Sequence, residues 1–189
     1  MRKTKLIAAT SASLIFMSSA AFAHTGHATS GLAAGLSHPL LGLDHMLAML
    51  AVGVWAAMQP TSRAWQGPAI FISMLAVGAG LGLAGIGVPM VEPGIIASIV
   101  LFGTIIAARQ FFPASAGLAL IAGFALLHGH AHGTEAVGGI AGYMVGFMTA
   151  SALLHLGGYT FGRIASQVRF GIPAIGLVLV AAGAALAGA

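Results

Sequence analysis

The stretch FGIPAIGLVLVAAGAALAG, residues 170–188, contains no charged side chain and no side chain that donates or accepts a hydrogen bond. As an α-helix it is about 28 Å long, which is close to the roughly 30 Å thickness of the hydrocarbon core of a bilayer. A helix satisfies its backbone hydrogen bonds within the segment, as a bilayer requires. The stretch is therefore predicted to cross a membrane as a helix.

The composition extends this interpretation to the whole chain. Hydrophobic residues make up 59% of the sequence and charged residues 5%, whereas a soluble domain carries about 25% charged residues. So few charges would leave a soluble surface poorly solvated, but they suit a surface that faces lipid. The sequence has no cysteine, which excludes disulfides and thiolate metal sites. A metal site has to use histidine, carboxylate, methionine, backbone or water ligands.

Six segments are apolar and close to the ~20 residues that span a bilayer. They run over residues 37–58, 68–87, 93–112, 114–130, 136–160 and 170–188. The predicted fold class is an all-α integral membrane protein, with six transmembrane helices in a compact bundle after a cleaved signal peptide. Residues 24–189 form its single domain. Small-residue faces indicate close packing within the bundle or in a homo-oligomer; the glycines are Gly78, Gly82, Gly138, Gly142 and Gly146.

The first 23 residues have the pattern of a secretory signal peptide. A basic start over residues 1–5 precedes an apolar run over residues 6–17, and Ala21 and Ala23 supply the small residues of a cleavage site. The apolar run is too short to span a bilayer comfortably. We therefore predict cleavage after residue 23, which leaves His24 as the first mature residue.

The arginines predict the orientation of the chain. With the mature N-terminus outside, the four arginines beyond the signal peptide lie in or beside inner connections, and the outer connections contain no lysine or arginine. They are Arg63, Arg109, Arg163 and Arg169. This obeys the positive-inside rule and predicts a multi-pass protein of the bacterial inner membrane with both mature ends in the periplasm. The other basic residues lie in the signal peptide, so no basic patch remains for nucleic acid.

The first predicted span combines histidine and aspartate inside an apolar segment, where ionisable side chains mark function by default. In a continuous helix, His38 and His45 share a face about 10 Å apart along the axis. Asp44 is expected to project about 100° away from His45. It would line a neighbouring wall or orient an imidazole of another helix. The alternative is a polar cluster that only joins helices.

The fourth predicted span ends in a dense set of metal-type ligands: His128, His130, His132 and Glu135. Imidazole and carboxylate ligands suit Ni, Co, Zn and Cu(II). On a helix, His128 and His132 share a face and His130 points away. The two intervening glycines allow the segment to unwind, so that more of these side chains converge. The alternative is a histidine-rich surface loop without a specific role.

Three further histidines are candidate accessory metal ligands. His24 and His27 stand at the predicted mature terminus, where a free amine and an imidazole together chelate metal. The alternative for this pair is a solvated tail. His155 lies in the fifth predicted span, between Ser151 and Tyr159. It is either a waypoint for an ion toward the cytoplasm or a histidine that packs between helices.

The two histidine-bearing segments resemble the HupE/UreJ family of nickel and cobalt permeases. They are HPLLGLDHMLAMLAVGVWAA, residues 38–57, and FALLHGHAHGTE, residues 124–135. The resemblance covers nearly the whole chain and implies that substrate ligands of the first span face those of the fourth. The implied ligands are His38, Asp44, His45, His128, His132 and Glu135. The first motif has one residue more between its first histidine and its aspartate than the broader nickel/cobalt transporter group, which argues against a shared geometry with that group.

The predicted function is a secondary permease, not an enzyme, that imports a divalent transition metal from the periplasm to the cytoplasm. The resemblance implies nickel for hydrogenase or urease, or cobalt, with no permanently bound cofactor. The sequence has no glycine-rich loop followed by Lys-Ser/Thr for ATP, so a gradient, the membrane potential or protons drive transport. The alternatives are a membrane metal-binding accessory or sensor protein, and an intramembrane metallohydrolase, which would have to work without a His-Glu-x-x-His motif.

Overall fold

The computed structural model describes residues 31–188, which form seven α-helices and one short 3-10 turn and contain no strand. The helices are α1 (Gly31–Leu41), α2 (Leu43–Ala57), α3 (Gln66–Leu83), α4 (Val91–Ala107), α5 (Ala114–Thr134), α6 (Ile140–Ala165) and α7 (Gly171–Ala187), and the turn is Arg109–Phe111. The all-α prediction is confirmed for these residues. The predicted signal peptide, residues 1–23, lies outside the described residues, as do His24 and His27.

The helices have the length and surface of membrane-spanning elements. α3, α5 and α6 are each long and apolar enough to cross a membrane, and α1 with α2 makes a fourth candidate that is bent by 81°. α4 and α7 are also apolar, with 17 residues each. Large apolar side chains point outward, since Leu153, Phe161 and Val178 are each more than half exposed. The chain is therefore a multi-pass membrane protein, and its six crossings stay a prediction.

The first predicted span is broken, which corrects the prediction of one continuous helix over residues 37–58. Helix α1 begins earlier, at Gly31, and the chain turns at Gly42, whose backbone is extended with φ −84° and ψ 107°. Pro39 lies inside α1 and has no N–H for the hydrogen-bond ladder of that helix. A helix interrupted in this way does not place His38 and residue 45 on one face, so that interpretation is wrong.

The chain restarts as a helix directly after the bend, with Gly42 as its N-cap residue and Asp44 in its first turn. The Asp44 carboxylate accepts the backbone N–H of His45 at 2.8 Å. The first N–H groups of a helix have no partner within the helix, and a negative charge is favourable at this end of the helix dipole. The aspartate therefore stabilises the start of α2, a local role that the residue pattern did not reveal.

The helices associate in three closely packed sets. α3 runs parallel to α5, and Gly78 lies against the backbone carbonyl of Leu126. α1 and α2 pack along α6, where Gly53 lies against the backbone of His155. α4 packs antiparallel to α7, with Gly103 against the backbone carbonyl of Gly176. Glycine is required at these points because a Cβ atom would collide with the facing main chain.

The glycine faces predicted from the sequence contact helices of the same chain. Gly78 and Gly82 approach α5, and Gly142 and Gly146 approach α1. Gly138 is not part of the second ridge, because it precedes α6 and has a left-handed backbone with φ 74°. The compact-bundle interpretation therefore accounts for these faces without a second copy, and the homo-oligomer stays a prediction.

The connections sort the charged residues to opposite ends of the bundle. α2 ends where α3 and α5 begin, since Trp55 lies against Gly67 and Gly117. The four arginines of the described residues lie at this end, called here the arginine end: Arg63, Arg109, Arg163 and Arg169. The acidic residues lie toward the opposite end, called the carboxylate end: Asp44, Glu92 and Glu135.

Candidate metal site

Four imidazoles from three helices meet toward the carboxylate end and are called here the four-histidine cluster: His38 of α1, His45 of α2, and His128 and His132 of α5. The His45 ring centroid lies 4.8 Å from that of His132, 5.1 Å from that of His128 and 6.2 Å from that of His38. The His38 and His132 centroids are 4.9 Å apart. The bend between α1 and α2 brings the first two histidines together, and spacing by four residues places the other two on one face of α5.

Three of these imidazoles have one ring nitrogen fixed by a hydrogen bond. His45 Nδ1 donates to Asp44 Oδ1 at 2.9 Å, and His38 Nε2 donates to Glu135 Oε2 at 2.9 Å. His128 Nδ1 donates to the Phe124 carbonyl at 2.9 Å. In a neutral imidazole the other nitrogen is then an acceptor with a free lone pair. Metal-binding histidines usually have such a second hydrogen bond, which orients the ring and makes the ligand more basic.

Four of the five remaining ring nitrogens are buried without a partner among residues 31–188. Among the described residues, none donates to or accepts from His45 Nε2, His128 Nε2 or either nitrogen of His132. His128 and His132 are fully buried, and His45 is only 8% exposed. Buried polar atoms in proteins nearly always have a partner. Several imidazole lone pairs in one dry place therefore indicate a ligand site, and the donor type suits Ni, Co, Zn and Cu(II).

The rings have to turn before they can bind one ion together. In residues 31–188, no three His, Asp or Glu side chains stand in an arrangement that holds a metal ion. The neighbouring rings meet edge to face, at interplanar angles from 65° to 81°. Ring nitrogens bind such metals at about 2.0–2.1 Å. His132 is the one imidazole of the four whose ring makes no hydrogen bond to the described residues, so its orientation is set by packing, which includes the Phe147 ring.

Two carboxylates flank the cluster and give it negative charge. Asp44 is paired with His45, which corrects the expectation that it projects away from that histidine. Glu135 follows the end of α5 and is the more exposed of the two, at 49% of its side chain. The hydrogen bond from His38 lowers the pKa of the Glu135 carboxyl, against the opposing effect of partial burial. The carboxylate is therefore ionised at neutral pH, where it attracts a cation.

The structure places the other predicted ligands outside the cluster. His130 points away, as its helix position predicts, and its Nε2 donates to the Ile86 carbonyl at 2.8 Å. His155 lies deeper in the bundle on α6. The expected unwinding around His130 is wrong, because α5 continues as a helix to Thr134. Gly129 serves instead to let α3 approach, with its Cα facing the Leu75 carbonyl.

Two aromatic residues beside the cluster were not identified from the sequence. Phe147 stacks on His132 with ring centroids 4.7 Å apart, and the Tyr143 ring lies 5.9 Å from that of His38. The Tyr143 hydroxyl is buried without a partner in the described part of the chain. The sequence did contain a signal for the pair, because the two aromatic residues are four apart and so lie on one face of a helix. The unpartnered hydroxyl is a structural signal, because a buried tyrosine hydroxyl usually has a hydrogen-bond partner.

Comparison with known proteins identifies the family of the chain. The model of the HupE / UreJ protein family matches residues 12–186. The chain is also 38% identical over 183 residues to Protein HupE of Rhizobium leguminosarum bv. viciae, which covers 95% of this chain and 94% of that protein. No solved structure matches the chain. Since both matches extend over nearly the full length and the family match includes both histidine-bearing segments, the chain belongs to the HupE/UreJ family.

Proposed function

We propose that this protein is a permease that imports a divalent transition metal ion, with Ni(II) as its first substrate and Co(II) as its second. The observation that carries the proposal is the four-histidine cluster. His45 and His128 each have one ring nitrogen fixed by a hydrogen bond and the other buried without a partner among the described residues, and both ring nitrogens of His132 are buried without one. Membership of the HupE/UreJ family supports the same function. The imported ion would serve the maturation of a metalloenzyme such as hydrogenase or urease.

The donor set favours a transition metal over the abundant hard cations. Imidazole nitrogens suit Ni, Co, Cu and Zn, whereas Ca²⁺ and Mg²⁺ prefer shells of oxygen ligands. We assign the ligands to His38, His45, His128 and His132. Asp44 and Glu135 orient two of these rings and supply charge that balances the ion. His130 is occupied by the Ile86 carbonyl and has a structural role in this proposal.

The ion enters from the carboxylate end. The Glu135 and His38 side chains are 49% and 34% exposed, so they are the first polar side chains of the site that an ion from this side meets. Replacement of its water by imidazoles then moves the ion to His132 and His45. Each replacement exchanges one weak ligand for another, so no covalent chemistry and no permanently bound cofactor are involved.

The proposal includes a topology. Cleavage of residues 1–23 and six crossings of the inner membrane put both mature ends in the periplasm. The clustering of the four described arginines at one end supports this, because cytoplasmic connections are enriched in Lys and Arg. The carboxylate end then faces the periplasm, and the arginine end faces the cytoplasm.

The deciding experiment is uptake of radioactive nickel by liposomes that contain only the purified protein. We expect saturable uptake that cobalt inhibits more strongly than zinc or magnesium. His45→Ala should abolish uptake, because it removes the histidine that contacts all three other rings. Gly80→Ala is the control, since a Cβ atom added at Gly80 meets no neighbouring atom within 4 Å.

The alternatives give different results in the same preparation. An accessory or sensor protein would bind nickel without carrying it across the bilayer. A metallohydrolase would retain about one zinc ion per chain through purification and would show hydrolytic activity. Either outcome would replace the permease as the function of this chain.

A further inference from the structure

A fifth buried histidine lies closer to the arginine end than the four-histidine cluster. His155 follows Phe147 by eight residues on α6, which is about 12 Å along the helix axis. The side chain is 2% exposed, and neither Nδ1 nor Nε2 has a hydrogen-bond partner among residues 31–188. A buried polar group without a partner is unfavourable. Packing alone therefore does not account for a histidine at this position.

The Phe71 ring stands between His155 and the cluster. Its centroid is 4.8 Å from that of His155 and 5.7 Å from that of His128. Phe71 is fully buried on α3, so it separates the two histidines with an apolar surface. His155 is the next imidazole after His128 in the direction of the arginine end, and one aromatic side chain lies between them.

A cavity continues from His155 toward the arginine end. It has a volume of about 680 Å³ and opens to the surface of the bundle, where Trp65 and Leu156 of its wall are each more than half exposed. Its wall is mostly apolar, and its polar side chains are those of His155, Tyr159, Ser73 and Thr61. Thr61 belongs to the connection between α2 and α3, which also carries Arg63. At about 30 Å³ for each water, the cavity has room for on the order of 20 molecules. A hydrated ion therefore fits between His155 and this end of the bundle.

We infer that His155 is an inner metal-binding site of the transport pathway. Its imidazole accepts the divalent ion from His128 past the Phe71 ring, and water supplies the other ligands. The ion then leaves through the cavity at the arginine end. This inference rests on the proposed transport function and extends it from capture to release.

The two sites differ in the strength of binding that their ligands provide. The four-histidine cluster has several imidazoles and two adjoining carboxylates. The inner site has a single imidazole, that of His155. The acidic residues of the described chain all lie toward the carboxylate end and so add no charge there. The Ser151 hydroxyl, one turn away, already donates to the Phe147 carbonyl at 2.7 Å. A single neutral ligand among water molecules suits release of an ion rather than retention.

The test compares His155→Ala with Ser151→Ala in liposomes that contain the full protein. We expect His155→Ala to lower the maximal rate of nickel uptake by about tenfold or more. The half-saturating nickel concentration should stay within about twofold of wild type, because capture at the outer cluster is intact. Ser151 is equally buried on the same helix, and its replacement should leave uptake within about twofold of wild type.

Nickel binding to the same purified variants separates capture from transit. In equilibrium dialysis, His155→Ala should bind nickel at the outer cluster with unchanged affinity. A loss of this binding would mean that the substitution disturbs the whole bundle or that His155 belongs to the capture site. Either result would overturn the assignment of a separate inner site.

The cysteine-free sequence allows a second, independent variant. His155→Cys retains a metal ligand and should retain uptake. In inside-out membrane vesicles, a thiol reagent that cannot cross membranes should reach the introduced sulfur through the cavity and stop transport, and nickel should slow the reaction. In right-side-out vesicles the same reagent should have no effect.

The outcomes distinguish this inference from the transport function on which it rests. Normal uptake by His155→Ala beside active wild-type protein overturns the inner site and leaves the permease intact. Nickel binding without uptake by wild-type protein overturns both. If His155→Ala does not fold, the thiol variant decides, and a reagent that reaches it only from the periplasmic face overturns the inner site.

Discussion

The four imidazoles of the four-histidine cluster differ in whether a hydrogen bond holds the ring. His38, His45 and His128 each donate one ring N–H to a fixed oxygen, which selects the tautomer and leaves the other nitrogen for a ligand. His132 has no such partner and lies flat against Phe147. In the proposed site, three ligands are therefore oriented before an ion binds, and the orientation of the fourth depends only on packing.

Asp44 should control metal affinity through His45 and not as a ligand itself. Asp44→Ala removes the acceptor of the His45 ring N–H and should weaken nickel binding by about 10–100-fold. Asp44→Asn keeps an oxygen acceptor but loses the charge, so its affinity should lie between those of Asp44→Ala and wild type. Equilibrium dialysis on purified protein measures both. Wild-type affinity in Asp44→Ala would show that the pair has no part in binding.

Uptake at limiting nickel should fall as the external pH falls from about 7 to 5, because protons compete with nickel for the imidazoles, which bind metal only when they are neutral. Glu135 does not set this range. Its pKa is lowered by the hydrogen bond from His38, so its ionised form persists below the ordinary value of 4.5 and is lost only as the pH falls through the lowered pKa.

The measurement is initial uptake against external pH for wild type and Glu135→Gln. The variant should be less active throughout but should lose activity over the same pH range. Uptake that stays level or rises toward pH 5 would contradict capture by neutral imidazole as the dominant step, and would point to a proton that drives transport.

Among the helices, contacts between backbones decide the packing. Gly78 on α3 and Gly129 on α5 bring the two main chains together, with Leu126 and Leu75 as the facing residues. Membrane helices lack a hydrophobic driving force toward one another, so small residues that permit close contact have a large share in their association. His128 and His132 keep their positions because α5 is fixed against α3 in this way.

Two glycines on α3 should therefore respond in opposite ways to the same substitution. Gly78→Ala places a Cβ against the Leu126 carbonyl and should destabilise the bundle by about 1–3 kcal/mol. Gly80→Ala meets no atom within 4 Å and should be neutral or stabilising by up to about 1 kcal/mol, because alanine favours a helix. Thermal denaturation in detergent tests both, and equal midpoints would contradict the packing described.

The apolar runs predict the helices of the bundle but not the break in the first one. The two helices on either side of Gly42 together are apolar enough to span a membrane, and hydrophobicity does not distinguish a bent pair from a straight span. By its residue type, Pro39 suits the start of a helix, where its missing N–H is harmless. It lies inside α1 instead, because tertiary packing of Gly35 on Tyr143 keeps the chain helical from Gly31.

The same limit applies to the candidate site. Ionisable residues are costly within a membrane and therefore mark function. On this basis the sequence alone predicts His38, His45, His128 and His132 as site residues. Which of their nitrogens are occupied depends on contacts between helices, and these have no sequence signature. The pairing of His38 with Glu135 is an example, since it joins residues far apart in the chain.

At the scale of the whole molecule, the charges predict how the protein sits in the membrane. The four described arginines lie at one end and the acidic residues toward the other. Because cytoplasmic connections are enriched in Lys and Arg, the arginine end is predicted to face the cytoplasm and the carboxylate end the periplasm. Alkaline phosphatase fused after Ala189 should be active, because α7 ends at the carboxylate end. The same enzyme inserted at Thr61 should be inactive. An inactive fusion at the C-terminus together with an active one at Thr61 would reverse the orientation.

The close packing of α3 on α5, and of α1 and α2 on α6, also divides the pathway lengthwise. His128, His132 and Phe71 belong to the first set, and His38 and His45 belong to the second, as does His155 on α6. Sets joined by backbone contacts move as rigid bodies, and packed bodies shift between discrete arrangements. The proposed metal ligands therefore line a seam between two helix sets, and we expect these two sets to rock against each other as rigid bodies during transport.

Spin labels report such rocking directly, and the exposed glycines of the cysteine-free chain offer sites for them. Labels at Gly80 and Gly123 lie within one body, whereas Gly80 and Gly157 lie on different bodies. Nickel should change the second distance and leave the first unchanged; a change in the first would mean that α3 and α5 separate. In the proposed mechanism each body supplies only part of the ligands, so the ion would pass from one body to the other, and alternating access would need no pore through the centre of the fold.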